Sequence, residues 1–101
     1  MAAIIPGDYG KPRPVLVIQS DAFQELPSIT VLPLTTDLTD WSLFRITVQP
    51  NRENGLRARS QIMIDKAATV PVTKVRDRIG RIDDETMRRV DRALARFLGL
   101  E

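Results

Sequence analysis

The sequence predicts a mainly β domain, a small antiparallel barrel flanked or plugged by one C-terminal helix. Three observations predict it. Short apolar runs rich in β-branched residues recur along the first eighty positions, separated by turn formers. One segment alone, near the C-terminus, carries apolar residues at helical spacing. The chain has 101 residues with 43% hydrophobic content, enough for one modest core, so residues 1–101 are read as a single domain.

The elements follow in order. Residues 2–5 are a short apolar stub ending at Pro6-Gly7-Asp8-Tyr9-Gly10, which is dense in turn formers. Lys11-Pro12-Arg13-Pro14 comes next. Its two prolines fix their own φ and bias the preceding residues toward extended backbone, so Arg13 is held between stiff neighbours. Val15-Leu16-Val17-Ile18 reads as a buried strand, and residues 22–26 as a loose turn. Residues 28–36 form the next strand. Pro33 inside it predicts a sheet edge or a bulge. Residues 41–49 alternate, with Leu43, Arg45 and Thr47 on one face and Phe44, Ile46 and Val48 on the other. Residues 60–66 make another strand, 68–72 continue extended, and a short strand or irregular segment surrounds Ile79-Gly80-Arg81-Ile82. The helix is the clearest element. Asp83 caps it, Asp84 and Glu85 occupy its first turn, Ile82 and Met87 form a hydrophobic staple, and Gly99 stops it. Met87, Val90, Ala93, Leu94, Phe97 and Leu98 are its expected buried stripe, with Arg88, Arg89, Arg92 and Arg96 on the other face.

Composition removes several kinds of chemistry. There is no cysteine and no histidine, so disulfides, thiolate nucleophiles, the usual metal ligands and the usual neutral-pH base are absent. No ligand cluster suggests a metal, and no cofactor is expected. Twelve of the fifteen cations are arginine, and the charge is divided unevenly. Residues 1–50 carry net −2 and residues 51–101 net +4. Arginine forks suit phosphate. No apolar run approaches a membrane span, and the start lacks the basic and long apolar regions of a signal peptide, so the cytoplasm is the default. Three strand-end segments remain as candidate chemistry: Gly10-Lys11-Pro12-Arg13-Pro14, Leu34-Thr35-Thr36-Asp37 and Ile64-Asp65-Lys66. A guanidinium, hydroxyls, a lysine and a carboxylate suit the binding of a phosphodiester. RNA also brings its own nucleophile, the 2′-hydroxyl, so little more is needed than geometry and charge stabilisation.

In their order and spacing these segments resemble the MazF/PemK toxin family, the ribonuclease halves of bacterial toxin–antitoxin pairs. The matching stretches run from Gly7-Asp8-Tyr9-Gly10 through Ser20-Asp21, then Val31-Leu32-Pro33-Leu34-Thr35-Thr36, Ser60-Gln61-Ile62-Met63-Ile64-Asp65-Lys66, and the C-terminal helix to Leu98-Gly99-Leu100. The resemblance implies an SH3-like barrel of the CcdB/PemK type with a C-terminal helix. It implies a homodimer that takes single-stranded mRNA in a groove and an antitoxin that covers the same groove. It also implies cleavage without metal to a 2′,3′-cyclic phosphate and a 5′-hydroxyl. The family's catalytic pair falls on Arg13 and Thr35, with Thr36 the alternative if the register slips by one. Lys11, Ser20, Thr36, Asp65 and Lys66 are the expected RNA-binding residues. Lys66 stands where many members carry glutamine. The first strand is shorter than the family's, which predicts a weakened sheet edge. Two other functions remain open: a gyrase-poisoning toxin of the CcdB kind, for which Trp41 and Phe97 are the only support, and an inactive module that binds nucleic acid or antitoxin.

Overall fold

A computed structural model describes residues 2–6, 12–41, 43–75 and 77–101. Among the described residues there are seven strands: β1 (Ala2–Pro6), β2 (Pro12–Val17), β3 (Ser28–Thr35), β4 (Arg45–Val48), β5 (Ser60–Met63), β6 (Ala68–Pro71) and β7 (Arg78–Gly80). One helix, α1 (Asp84–Phe97), follows. Every strand pair is antiparallel, in the order β4-β5-β3-β2-β1-β7 with β6 also on β3. The stub at the start is a five-residue strand paired on both sides, with β2 and β7.

The centre of the sheet is β3. Its first half pairs with β6, from Ser28↔Pro71 to Val31↔Ala68, and its end pairs with β5, at Leu34↔Ile62 and Thr35↔Gln61. Pro33 therefore lies in a central strand rather than at an edge. It falls in the gap between these two ladders, where its missing N–H interrupts neither of them. The run read as one strand over 60–66 divides for the same reason. β5 ends at Met63, and a 3-10 turn at Ile64–Lys66 carries the chain from one half of β3 to the other. Ile64 is fully buried at that corner. The strand read over 41–49 begins only at Arg45, because Phe44 N–H closes a turn onto the Trp41 carbonyl at 3.3 Å.

Among the described residues no ladder joins β4 to β7, so the barrel is not closed by strand pairing. The β4–β5 loop fills the seam instead. Arg81 N–H donates to the Glu53 carbonyl at 2.9 Å. The loop is held by Asn54, which is buried. Its Oδ1 accepts from the Asn51 and Leu56 amides at 3.1 and 3.0 Å, and its Nδ2 donates to the Gln49 carbonyl at 2.9 Å.

Leu16, Leu32, Leu34, Ile46, Ile62, Ile64, Ile82 and Val90 belong to the main core, on the inner face of the sheet. A smaller cluster on the outer face joins Val15 and Val31 with Val17, Ile29 and Val75. The helix covers the core through Met87, Val90, Ala93 and Leu94, against β4 and the turn at Ile64–Lys66. Phe97 and Leu98, expected in that buried stripe, are exposed instead, because the packing of the helix on the core ends at Leu94. No described helix is long and apolar enough to cross a membrane.

Candidate functional site

Alternation along β2 and β3 decides which side chains meet. Leu16, Leu32 and Leu34 point into the main core, so the odd-numbered residues of both strands face outward. Val15 pairs with Pro33 and Val17 with Val31. Carried two residues further, this register sets Arg13 level with Thr35 on the outer face, where the valine cluster gives way to polar residues. Thr35 in turn pairs with Gln61, and Gln61 with Thr47. Thr35, Gln61 and Thr47 thus form one row across β3, β5 and β4, and Arg13 falls on the extension of that row to β2.

Each of these residues has a defined state. Arg13 is exposed and has no ion pair among the described residues. Thr35 is half-buried, and its Oγ1 accepts from the Asp37 N–H at 3.0 Å. That bond uses a lone pair and leaves the hydroxyl proton without an acceptor among the described residues. Gln61 is buried and spent on the fold. Its Nε2 donates to the Thr39 carbonyl at 2.8 Å and to Thr47 Oγ1 at 3.3 Å, and its Oε1 accepts from the Thr39 N–H at 3.0 Å. It pins the loop that follows Thr35, which fixes the exit of β3 beside Arg13.

The other candidates are dispersed. Thr36, one residue past β3, is exposed and lines a groove of about 450 Å³ with Pro14, Leu56, Arg57, Ser60 and Ile79. Lys11 lies outside the described residues. Ser20 sits beyond the opposite end of β2, where its hydroxyl accepts from the Ala22 N–H at 3.2 Å and caps a short turn. Lys66 is exposed at the corner between β5 and β6. Asp65 is already engaged. Its two oxygens accept from Arg45 Nε and Nη2 at 3.0 and 3.3 Å, in a pair whose side chains are only 8% and 21% exposed.

That ion pair was not visible in the sequence. Arg45 and Asp65 lie twenty residues apart, and only the β4–β5 register brings them together. The Arg45 guanidinium also lies 5.3 Å from the Trp41 ring centroid and 5.7 Å from that of Phe44. Trp41 and Phe97 are both more than half exposed.

An antiparallel sheet wrapped around one core, with a C-terminal helix packed on that core, defines a class: small β-barrel-like domains. The sequence comparisons make the family definite. Residues 3–98 match the family described as PemK-like, MazF-like toxin of type II toxin-antitoxin system, and the chain belongs to it. It is 50% identical over 91 residues to a probable endoribonuclease MazF of Mycolicibacterium smegmatis, covering 90% of this chain and 84% of that one. It is 29% identical over 101 residues to the endoribonuclease EndoA of Bacillus subtilis, covering 99% and 87%. Among solved structures it superposes on the Mycobacterium tuberculosis toxin MazF-mt6 with a TM-score of 0.86, 26% identity and coverage of 99% and 97%.

Proposed function

We propose that this chain is the toxin of a type II toxin–antitoxin pair, an endoribonuclease that cuts single-stranded mRNA with Arg13 and Thr35. The observation that supports the reading is the β2–β3 register, which pairs Val15 with Pro33. Continued two residues along, it brings Arg13, exposed and without an ion pair among the described residues, level with Thr35, whose hydroxyl accepts from the Asp37 N–H. Its family and its endoribonuclease relatives support the same conclusion. The protein works in the cytoplasm as a homodimer, and a cognate antitoxin covers the RNA groove.

The chemistry follows from the substrate. The ribose 2′-oxygen attacks the adjacent phosphorus as its hydroxyl proton passes to water, the phosphorus–O5′ bond breaks, and O5′ takes a proton back from water, so the products are a 2′,3′-cyclic phosphate and a 5′-hydroxyl. No external nucleophile is needed. As the fifth oxygen approaches, negative charge builds on the equatorial phosphate oxygens. The Arg13 guanidinium, cationic throughout, stabilises that charge with paired N–H donors. One well-placed donor on developing charge is worth about 3–4 kcal/mol, or roughly a hundred- to a thousandfold in rate. Thr35 donates its free proton to the same phosphate and holds it for in-line attack. Lys11, Thr36 and Lys66 extend the contact along the RNA backbone.

The test is cleavage of a long single-stranded RNA in EDTA, with cut sites mapped by primer extension. The chain cuts at a short preferred sequence. Arg13→Ala loses roughly a hundredfold or more in rate with an unchanged circular dichroism spectrum, because the side chain is exposed and supports no packing. Thr35→Val loses less. Undiminished cutting by Arg13→Ala would remove the assignment of the site.

A further inference from the structure

The outer face carries a second groove beyond the row described above. It has a volume of about 450 Å³ and is lined by Thr39, Asp40, Arg45, Thr47, Arg59, Gln61 and Arg89, with Leu38 at its margin. It draws on the loop after β3, on β4 and β5, and on the first half of α1. Gln61 and Thr47 belong both to this groove and to the row that contains Thr35 and extends to Arg13, so the two regions form one surface. Strands lie about 4.8 Å apart, which puts Thr47 about 10 Å from Thr35 and about 14 Å from Arg13 along the row. A short single strand seated on Arg13 reaches the groove without leaving the face.

Three guanidiniums meet there, and they are not equivalent. Arg45 is neutralised by Asp65 and largely buried against the aromatic pair. Arg59 and Arg89 are exposed and have no ion pair among the described residues. Asp40 offsets one of these two charges and leaves the groove net positive. Trp41 follows the groove-lining Asp40 and packs on the groove-lining Arg45. Its backbone N–H donates to Thr39 Oγ1 at 3.4 Å, its ring lies 5.5 Å from that of Phe44, and the Arg45 guanidinium lies 5.3 Å from its centroid. The indole is held in place yet remains 54% exposed. A fixed, exposed ring beside unpaired guanidiniums is the combination that binds single-stranded nucleic acid without reading its sequence. The ring stacks on a base and the cations hold flanking phosphates. An acidic peptide would use the charges and an apolar one the ring, whereas a nucleotide brings a base for the ring and phosphates for the cations.

We infer that Trp41, Arg59 and Arg89 form a nucleotide-binding subsite that holds the RNA strand a few nucleotides away from the scissile phosphate at Arg13. This rests on the nuclease reading and adds a binding position to it. The subsite grips substrate and takes no part in bond cleavage.

Trp41 is the chain's single tryptophan, so intrinsic fluorescence reports this position alone. The probe is a single-stranded 2′-O-methyl oligonucleotide spanning a mapped cut site, which binds but cannot be cleaved. It quenches the emission saturably, and added salt weakens the effect. Trp41→Ala weakens binding, followed by anisotropy of labelled oligonucleotide, roughly 5- to 100-fold, as expected for one stacked base. Trp41→Phe recovers most of the loss. Arg59→Ala and Arg89→Ala each reduce affinity and flatten the salt dependence. On cleavable RNA these variants raise KM more than they lower kcat. If the oligonucleotide binds while Trp41 emission stays fixed and Trp41→Ala binds as tightly as the parent, the subsite is refuted and the nuclease reading stands. Quenching by an acidic peptide but not by RNA refutes it equally. If the parent protein neither cuts nor binds RNA, the nuclease reading itself fails, and this inference with it.

Discussion

At the scale of the residue, Arg45 shows how one cation becomes structural while another is left free. Arg13 and Arg45 both lie on the outer face of a strand. Arg45 meets Asp65 through a bidentate contact at 3.0 and 3.3 Å, and two rings cover it. Breaking a buried pair from one side leaves an uncompensated charge, at a cost of about 3–5 kcal/mol. Here Asp65 keeps about a fifth of its surface in water, which screens part of that cost. Asp65→Asn is therefore expected to destabilise the protein by about 2–3 kcal/mol in urea unfolding. Arg45→Lys keeps the charge but loses the fork and the planar stack, so Trp41 emission shifts to the red. The sequence marked Arg13 and Thr35 as candidates because each sits in a local motif, between prolines or at a strand end, and the family resemblance proposed them as a pair. It left Arg45 unread, because the value of that arginine depends on a partner that only the strand register supplies.

At the scale of the element, α1 was the most legible part of the chain, since its signals are all local. Asp83 caps it, with Oδ2 accepting from the Thr86 N–H at 3.0 Å and Oδ1 accepting from the Thr86 hydroxyl at 2.7 Å. Gly99, at φ +73°, ends it, and the Leu100 and Gly99 amides close onto the carbonyls of Ala95 and Arg96 at 2.7 and 3.2 Å. What the helix does at its far end was not legible. Phe97 and Leu98 keep the apolar spacing, but their burial depends on where the core beneath the helix stops, and no helical period encodes that. The cap makes a pH prediction. The Thr86 hydroxyl, and then its amide, hold the Asp83 carboxyl below its ordinary value. A carboxyl depressed in the folded state stabilises it above the unfolded pKa, near 4, and that contribution is lost as pH falls through the folded value. Asp83→Ala should therefore lower Tm by several degrees at pH 7. The gap between variant and parent should narrow steadily below about pH 4 in a series of thermal melts.

At the scale of the molecule, the fold turns on how an open sheet is sealed. Alternating apolar runs revealed the strands, but neither the partner change along β3 nor the unpaired β4 and β7 edges can be read from them. Closure falls to a loop, and two glycines make it possible. Gly55, at φ +68°, lies where a Cβ would run into the Ile79 carbonyl oxygen, and a Cβ on Gly80 would run into the Asn54 and Glu53 backbone. Both obstacles are main chain, so no rotamer change relieves them. Gly80→Ala separates this contact from intrinsic backbone preference, because Gly80 does not have positive φ and alanine there is conformationally acceptable. Its cost then measures the seam itself, about 1–3 kcal/mol if the loop shifts to accept the methyl and more if it cannot. Opening the seam lengthens the bond from Arg81 N–H to the Glu53 carbonyl and exposes the side of the core that Leu56 and Ile79 line. Hydrogen exchange should accordingly quicken first at Arg81 and Leu56, before the amides of β3. Uniform loss of protection across the sheet would show that the loop seam and the strand ladders unfold as a single unit.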